Sequence, residues 1–288
     1  MGEDSKLGSK IKAQITRFAS RLTEGMDKVT RRWVSEMLYG IQASKDVKVS
    51  EVARSLNEPI ALIKTENRLC RNLAREDVTD RINRWTAWEG AAVVDDETVL
   101  AIDLGDVRKS YAKKMEYLGR VRDGDTGEIV PGYWVCEVVA AHPNGDRLTP
   151  LYGELYAQDA EEFESENDQL LKAIGLVSAA TRKKGIWAID RGGDRRKIII
   201  PLLDANLQFV IRQDGERHIL LPRGGKHPVA EAARWCRTHF EKIVEVEREG
   251  YTQKKHLKMG SMEVRLPERP DAQLWLVVIR GLSDHPIM

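Results

Sequence analysis

Val99-Leu-Ala-Ile-Asp103 and Gly185-Ile-Trp-Ala-Ile-Asp190 are two short apolar runs, each ending in an aspartate. Apolar runs of this length read as buried strands. Each therefore delivers a carboxylate to a strand's C-terminal end, where a polar, glycine-containing turn is expected to follow. In open α/β sheets that edge is where ligands bind. Mg²⁺ takes oxygen ligands and is commonly held by one or two carboxylates together with substrate phosphates. Asp103 and Asp190 are thus the candidate metal ligands and catalytic acids.

Working outward, the chain after Gly90 is rich in strand-like runs. They cover 98–103, 132–141 and 148–157, with a turn-rich loop, Arg122-Asp-Gly-Asp-Thr-Gly127, between the first two. Residues 166–184 have helical spacing and a basic end, Arg182-Lys-Lys184, which the helix dipole favours. A strand over 185–190, a helix from about 194 to 205 and a strand over 207–212 follow. Three meandering strands, then a helix and a parallel strand, is the order of an RNase H-like mixed sheet. Its first and fourth strands lie side by side, which would make Asp103 and Asp190 neighbours.

On either side the character differs. Residues 1–90 read as an all-helical domain of DNA-binding type. Ile11, Ile15, Phe18 and Leu22, and then Val29, Trp33, Met37 and Ile41, recur at helical spacing. Ser50–Leu56 reads as a short helix with Val52 and Leu56 inward, and Asn57-Glu-Pro59 as the start of the next. A helix–turn–helix-like pair over 49–72 fits, and so does ordinary bundle packing. Residues 91–212 form the expected α/β core. Residues 213–288 form a β-rich segment, with a helix from Val229 to about Phe240 and strands over 242–249, 253–259, 262–266 and 274–280.

The composition is 42% hydrophobic and 32% charged with a net charge of +1, so whole-chain charge gives no case for nucleic acid. The distribution does. Residues 1–76 hold 15 basic and 10 acidic residues, and Arg182–Lys197 holds seven basic residues against Asp190 and Asp194. A basic rim beside paired carboxylates suits a polyanion. Three widely spaced cysteines argue against a disulfide framework. The N-terminus lacks the apolar core of a signal peptide, and no run approaches a membrane span. A soluble, cytoplasmic protein is the expectation.

Four stretches together resemble DDE transposases of the insertion-sequence-4 family. They are Leu100-Ala-Ile-Asp103-Leu-Gly-Asp106 with Lys109; Trp187-Ala-Ile-Asp190-Arg-Gly-Gly-Asp194; Ile15-Thr-Arg-Phe18 with Val52-Ala-Arg-Ser-Leu56 in a helical N-terminal region; and the β-rich part after residue 212. The resemblance implies an RNase H-like core, Mg²⁺ (or Mn²⁺), and cut-and-paste DNA transposition at terminal inverted repeats. It also implies double-stranded DNA as partner, with a homodimer on DNA as one assembly. Asp103 and Asp190 match the first two catalytic acids, and Lys109 and Arg191 are candidate DNA contacts. The third acid is a glutamate in a Tyr-Arg-Glu-type helix beyond the β segment. Glu231, Glu241, Glu245 and Glu263 lack its neighbours, so the sequence reads as ending before that motif. Little or no catalysis is the consequence. A non-catalytic DNA-binding remnant, or an inhibitor of transposition, is the alternative.

Other motifs are weaker. Ile102-Asp-Leu-Gly105 is similar to the first phosphate loop of sugar kinases and chaperone ATPases, but Asp106-Val-Arg108 follow where those proteins need small residues. Arg223-Gly-Gly-Lys226 lacks P-loop spacing. Cys236-x-x-His239 has no second ligand pair for zinc. Trp235 and Trp275 are expected to pack in a core rather than to stack on bases.

Overall fold

The computed structural model describes residues 3–73, 77–143, 145, 147–248 and 251–281. Among these are eight α-helices and eleven strands in two sheets, one of them mixed. No helix is long and apolar enough to cross a membrane among the described residues. The chain divides into two compact units, Met1–Trp85 and Thr86–Met288.

The first unit contains α1 (Glu3–Leu22), α2 (Lys28–Ser44), α3 (Val49–Leu56), α4 (Leu62–Leu73) and most of α5 (Asp77–Gly90). Asp27 caps α2, accepting from the backbone N–H of Val29 and Thr30 at 2.9 and 3.1 Å. Trp33, Val34, Val52, Ala53 and Leu69 form its core, and Phe18 meets Trp85 edge to face at 5.1 Å.

The turn between α3 and α4 differs from the expected helix start at Asn57-Glu-Pro59. Asn57 adopts the left-handed conformation that closes α3, and α4 begins only at Leu62. Glu58 is taken up by tertiary bonds instead. It accepts from the Thr65 hydroxyl at 2.7 Å, Arg68 at 2.7 Å and Arg32 at 3.0 Å, and Arg68 also pairs with Glu36 of α2. The Thr65 bond first, then the two arginines, hold the Glu58 carboxyl below its ordinary value. A carboxyl depressed on folding stabilises fully above its unfolded value of 4.5 and loses that contribution as pH falls through the lower folded value. Glu58→Gln is therefore expected to flatten the acid limb of first-unit stability, measured by denaturant melts at pH steps below 5 (roughly the glutamate range).

The second unit is built on a six-stranded sheet. Its strands are β1 (Val99–Arg108), β2 (Gly119–Arg122), β3 (Ile129–Ala141), β4 (Leu148–Tyr156), β5 (Ile186–Ile189) and β6 (Gln208–Ile211). The order is β2-β3-β1-β5-β6, with β4 paired to β3 as well. β1 runs antiparallel to β3 and parallel to β5, and β5 runs parallel to β6. Helices α6 (Glu166–Ala180) and α7 (Arg196–Asp204) connect β4 to β5 and β5 to β6. Ser165 caps α6 with Glu166 and Asp168 in its first turn.

Helix α6 ends earlier than the spacing suggested. Arg182 and Lys183 take positive φ, so the basic trio forms a turn rather than a helical end. Gly185 completes that turn at φ 91°, and a Cβ there would meet the Leu100 side chain at 2.8 Å. Only glycine lets β5 settle against β1.

Register and alternation assign the two faces of the sheet. Leu100, Ile102, Cys136, Val138, Trp187, Ile189 and Ile211 share a buried face. Their core includes Leu170, Ile174 and Val177 of α6 and Ile198, Ile199 and Leu202 of α7. Ala101, Asp103, Val135, Glu137, Ala188 and Val210 fall on the opposite face, and none of them is buried.

The second sheet holds β7 (His218–Leu220), β8 (Lys226–Pro228), β9 (Phe240–Arg248), β10 (Tyr251–Leu266) and β11 (Arg269–Arg280), with α8 (Val229–Trp235) between β8 and β9. The helix is shorter than the expected run to Phe240. The two strands expected over 253–259 and 262–266 are one. Gly260 makes the join: a Cβ there would lie 2.0 Å from the carbonyl oxygen of Arg237, so the strand continues only past a residue without one. Glu249, the expected end of the strand before it, lies outside the described residues. The second sheet shares one core with the first, since Ile219, Val264, Leu266, Leu276 and Val278 cluster with Ile189 and Ile211.

All three cysteines are free thiols; Cys70 is exposed, and Cys136 and Cys236 are buried. Burial, then the fields of Glu154, Asp103 and Glu137, pushes the Cys136 thiol up to about 12. A thiol reagent is thus expected to modify Cys70 alone in the folded chain and all three cysteines in denaturant, counted by mass spectrometry.

A candidate metal and phosphate site

Asp103 is not at the end of its strand. β1 continues to Arg108 because β3 offers a ten-residue antiparallel partner, from Val99↔Ala141 to Arg108↔Gly132. The expected polar turn after Asp103 is therefore strand. On its other side β1 loses its partner at Ile102, the last residue in register with β5. Asp103 is the first residue beyond that parallel pairing, and Asp190 is the residue that follows Ile189. The edge at which both are presented is where β5 stops.

The register sets the two aspartates side by side. Ile102 pairs with Ile189, so the next residues along these parallel strands are Asp103 and Asp190. Adjacent strands lie about 4.8 Å apart. Both side chains are exposed, and both line one cleft of about 1050 Å³. Asp190 is fixed by its own turn, its Oδ1 accepting from Gly192 N at 2.8 Å. Asp103 Oδ1 accepts from Leu104 N at 2.9 Å. Among the described residues, neither Oδ2 has a protein partner, which leaves one oxygen of each for a ligand.

The same row continues in both directions, through residues that sequence reading did not single out. Glu137 is the register partner of Asp103 on β3. Ile189 pairs with Ile211, so Arg212 follows in register beside Asp190. Glu137–Asp103–Asp190–Arg212 thus crosses four strands on the open side of the sheet. Like charges facing each other across strands are destabilising by a few tenths of a kcal/mol to about 1 kcal/mol. Arg212 is exposed and has no ion pair among the described residues, and it lines the cleft with the aspartates. The alternation of β3 and β6 was the signal for both, legible once register was known.

The remaining residues separate. Arg191 follows Asp190 directly and pairs with Asp214 at 3.3 Å, with both side chains more than half exposed. Such a pair is worth little and opens readily for a phosphate. Lys109 lies six residues beyond Asp103, just past the end of β1, roughly 20 Å away at strand spacing, and does not reach the carboxylates. Asp194, the last acid of the Asp-Arg-Gly-Gly-Asp stretch, is buried against Arg217 and accepts from Asp214 N at 3.1 Å. It anchors the segment after β6 and is not a ligand.

Trp235 and Trp275 are 50% and 60% exposed, so the expected core packing is not found. Trp275 lines the cleft; Trp235 meets the His227 ring edge-on at 4.8 Å. No group of three or more His, Cys, Asp or Glu side chains able to hold a metal occurs among the described residues. Two carboxylates with free oxygens still fit an ion that completes its shell with water and phosphate. Neither protein-family models nor curated proteins match the chain.

Proposed function

We propose that the second unit is an RNase H-like core of the insertion-sequence-4 DDE transposase type, acting on double-stranded DNA with Mg²⁺ or Mn²⁺. The observation that carries the reading is the register Ile102↔Ile189, which brings Asp103 and Asp190 together from 87 residues apart in sequence. The strand order β4-β3-β1-β5-β6, antiparallel on one side of β1 and parallel on the other, supports it.

Asp103 and Asp190 would hold the ion through their free oxygens. Arg191 and Arg212 would hold the phosphate backbone beside them. When bound, the ion polarises the phosphodiester and offsets the charge that builds during in-line displacement. The reading takes the protein to be cytoplasmic, with transposon terminal inverted repeats as its DNA and a homodimer as the assembly on it.

Among the described residues, Asp103 and Asp190 are the only carboxylates that line the cleft, so metal affinity without DNA is weak and catalysis slight. That observation favours a second reading, a DNA-binding protein without turnover that competes for transposon ends. A strand-nicking assay in Mg²⁺ and in Mn²⁺ separates the two. Nicking abolished by Asp190→Ala establishes the enzyme. DNA binding without nicking establishes the competitor. No binding to duplex DNA at low salt, where phosphate contacts are strongest, overturns both.

A further inference from the structure

We infer that α4 is the DNA-reading helix of the first unit, with Asn67 as a base-reading residue and Lys64 and Arg71 as its backbone and guanine contacts. This deepens the proposed DNA reading and rests on it. On a helix each residue turns by about 100°, so residues three, four and seven apart share a face. Thr65 and Leu69 are buried and point to the core. The opposite face carries Ile63, Lys64, Asn67, Cys70 and Arg71, all exposed. That face holds two cations and no carboxylate; Glu66, the one acid of α4, is half-buried off it. Carboxylates around the turn are occupied, Glu36 and Glu58 by Arg68 and Arg32, and Glu51 by Arg54. Lys64 has no ion pair among the described residues. A positive, acid-free helix face complements a polyanion.

The residue types suit a major groove rather than charge alone. Asn presents the donor–acceptor pair that matches adenine, Arg the fork that matches guanine, and an aliphatic side chain meets the thymine methyl, as Ile63 would. Ile63, 58% exposed at the first turn of α4, has no packing role that explains it. The Glu58 network clamps the base of α4 to α2, so the helix is presented rigidly. α3, joined to it through the left-handed Asn57, is in the position of the preceding helix of a helix–turn–helix pair.

The test selects preferred duplexes from a randomised double-stranded pool with the full chain. The wild type, Asn67→Ala and Arg71→Ala are then compared on the enriched sequence and a scrambled one. Asn67→Ala is expected to lower the preferred-to-scrambled ratio roughly tenfold to a hundredfold. Arg71→Ala is expected to lower the same ratio, because a guanine contact carries discrimination rather than uniform affinity. Bound duplex should also slow alkylation of Cys70 on the same face. If the wild type binds duplex DNA while the variants behave like it and Cys70 stays reactive, the assignment of α4 is wrong and the DNA reading stands. If the wild type binds no duplex at all, both fall.

Discussion

Trp187→Ala is expected to destabilise the second unit by about 3–5 kcal/mol, the range for emptying a large aromatic site in a packed core. Trp187 is 1% exposed and among the largest fully buried side chains of the chain. It sits on β5, in register with Leu100 of β1 and Phe209 of β6. Removing the indole strips the contact that binds the parallel half of the sheet, and a central strand clamped on both sides cannot collapse to fill the gap. The thermal midpoint of the unit should fall by roughly 10 °C or more, read by differential scanning calorimetry. Trp275→Ala is the internal comparison. Its side chain is 60% exposed on the edge strand β11, and its loss should stay within about 0.5 kcal/mol. Equal losses would mean that the core is not organised around β5.

What the sequence made legible follows the strength of its periodic signals. The apolar runs ending at Asp103 and Asp190 are short, bounded and β-branched, and both fold as strands. Their adjacency was legible through element order, because few connections are open to a meander followed by a right-handed crossover. Extents were less legible, since partners set them. β1 runs on through Asp106 and Arg108 because β3 pairs with it, although those residues have no strand-forming pattern of their own. Arg182 and Lys183 suit a helix by composition but take left-handed backbone to bring Gly185 under Leu100. Gly260 lies between the two expected strands, yet it is what lets one strand pass the Arg237 carbonyl. At the site, the carboxylates were legible because they end apolar runs. Glu137 and Arg212 were not, because they become neighbours only when four strands are in register. Asp194 looked like part of the same acidic motif and is an anchor instead, a difference of burial that residue identity does not carry.

Asp103→Asn is expected to separate stability from function in opposite directions. Asparagine keeps the size of the side chain and the carbonyl oxygen that accepts from Leu104 N. It removes the charge that faces Glu137 across the strand pair. Like charges directly opposite cost up to about 1 kcal/mol, so the variant should gain a few tenths to about 1 kcal/mol in denaturant unfolding. The same change removes a ligand charge from the Asp103–Asp190 pair. Mn²⁺ affinity in the presence of duplex DNA should then drop at least 10- to 100-fold, the loss already seen when only outer-shell partners of a metal are removed. Asp190→Asn should lose Mn²⁺ affinity similarly with a smaller gain in stability, because the repulsion relieved beside Asp103 is offset by the lost attraction to its other register neighbour, Arg212. Electron paramagnetic resonance of Mn²⁺ measures the binding, and a urea titration measures the stability. Carboxylates with a structural role alone would behave otherwise: Asp103→Asn would stabilise the fold and leave Mn²⁺ untouched. Repulsion across β1 and β3 that the fold tolerates at an open edge, and that disappears together with metal binding, is what a functional carboxylate should show.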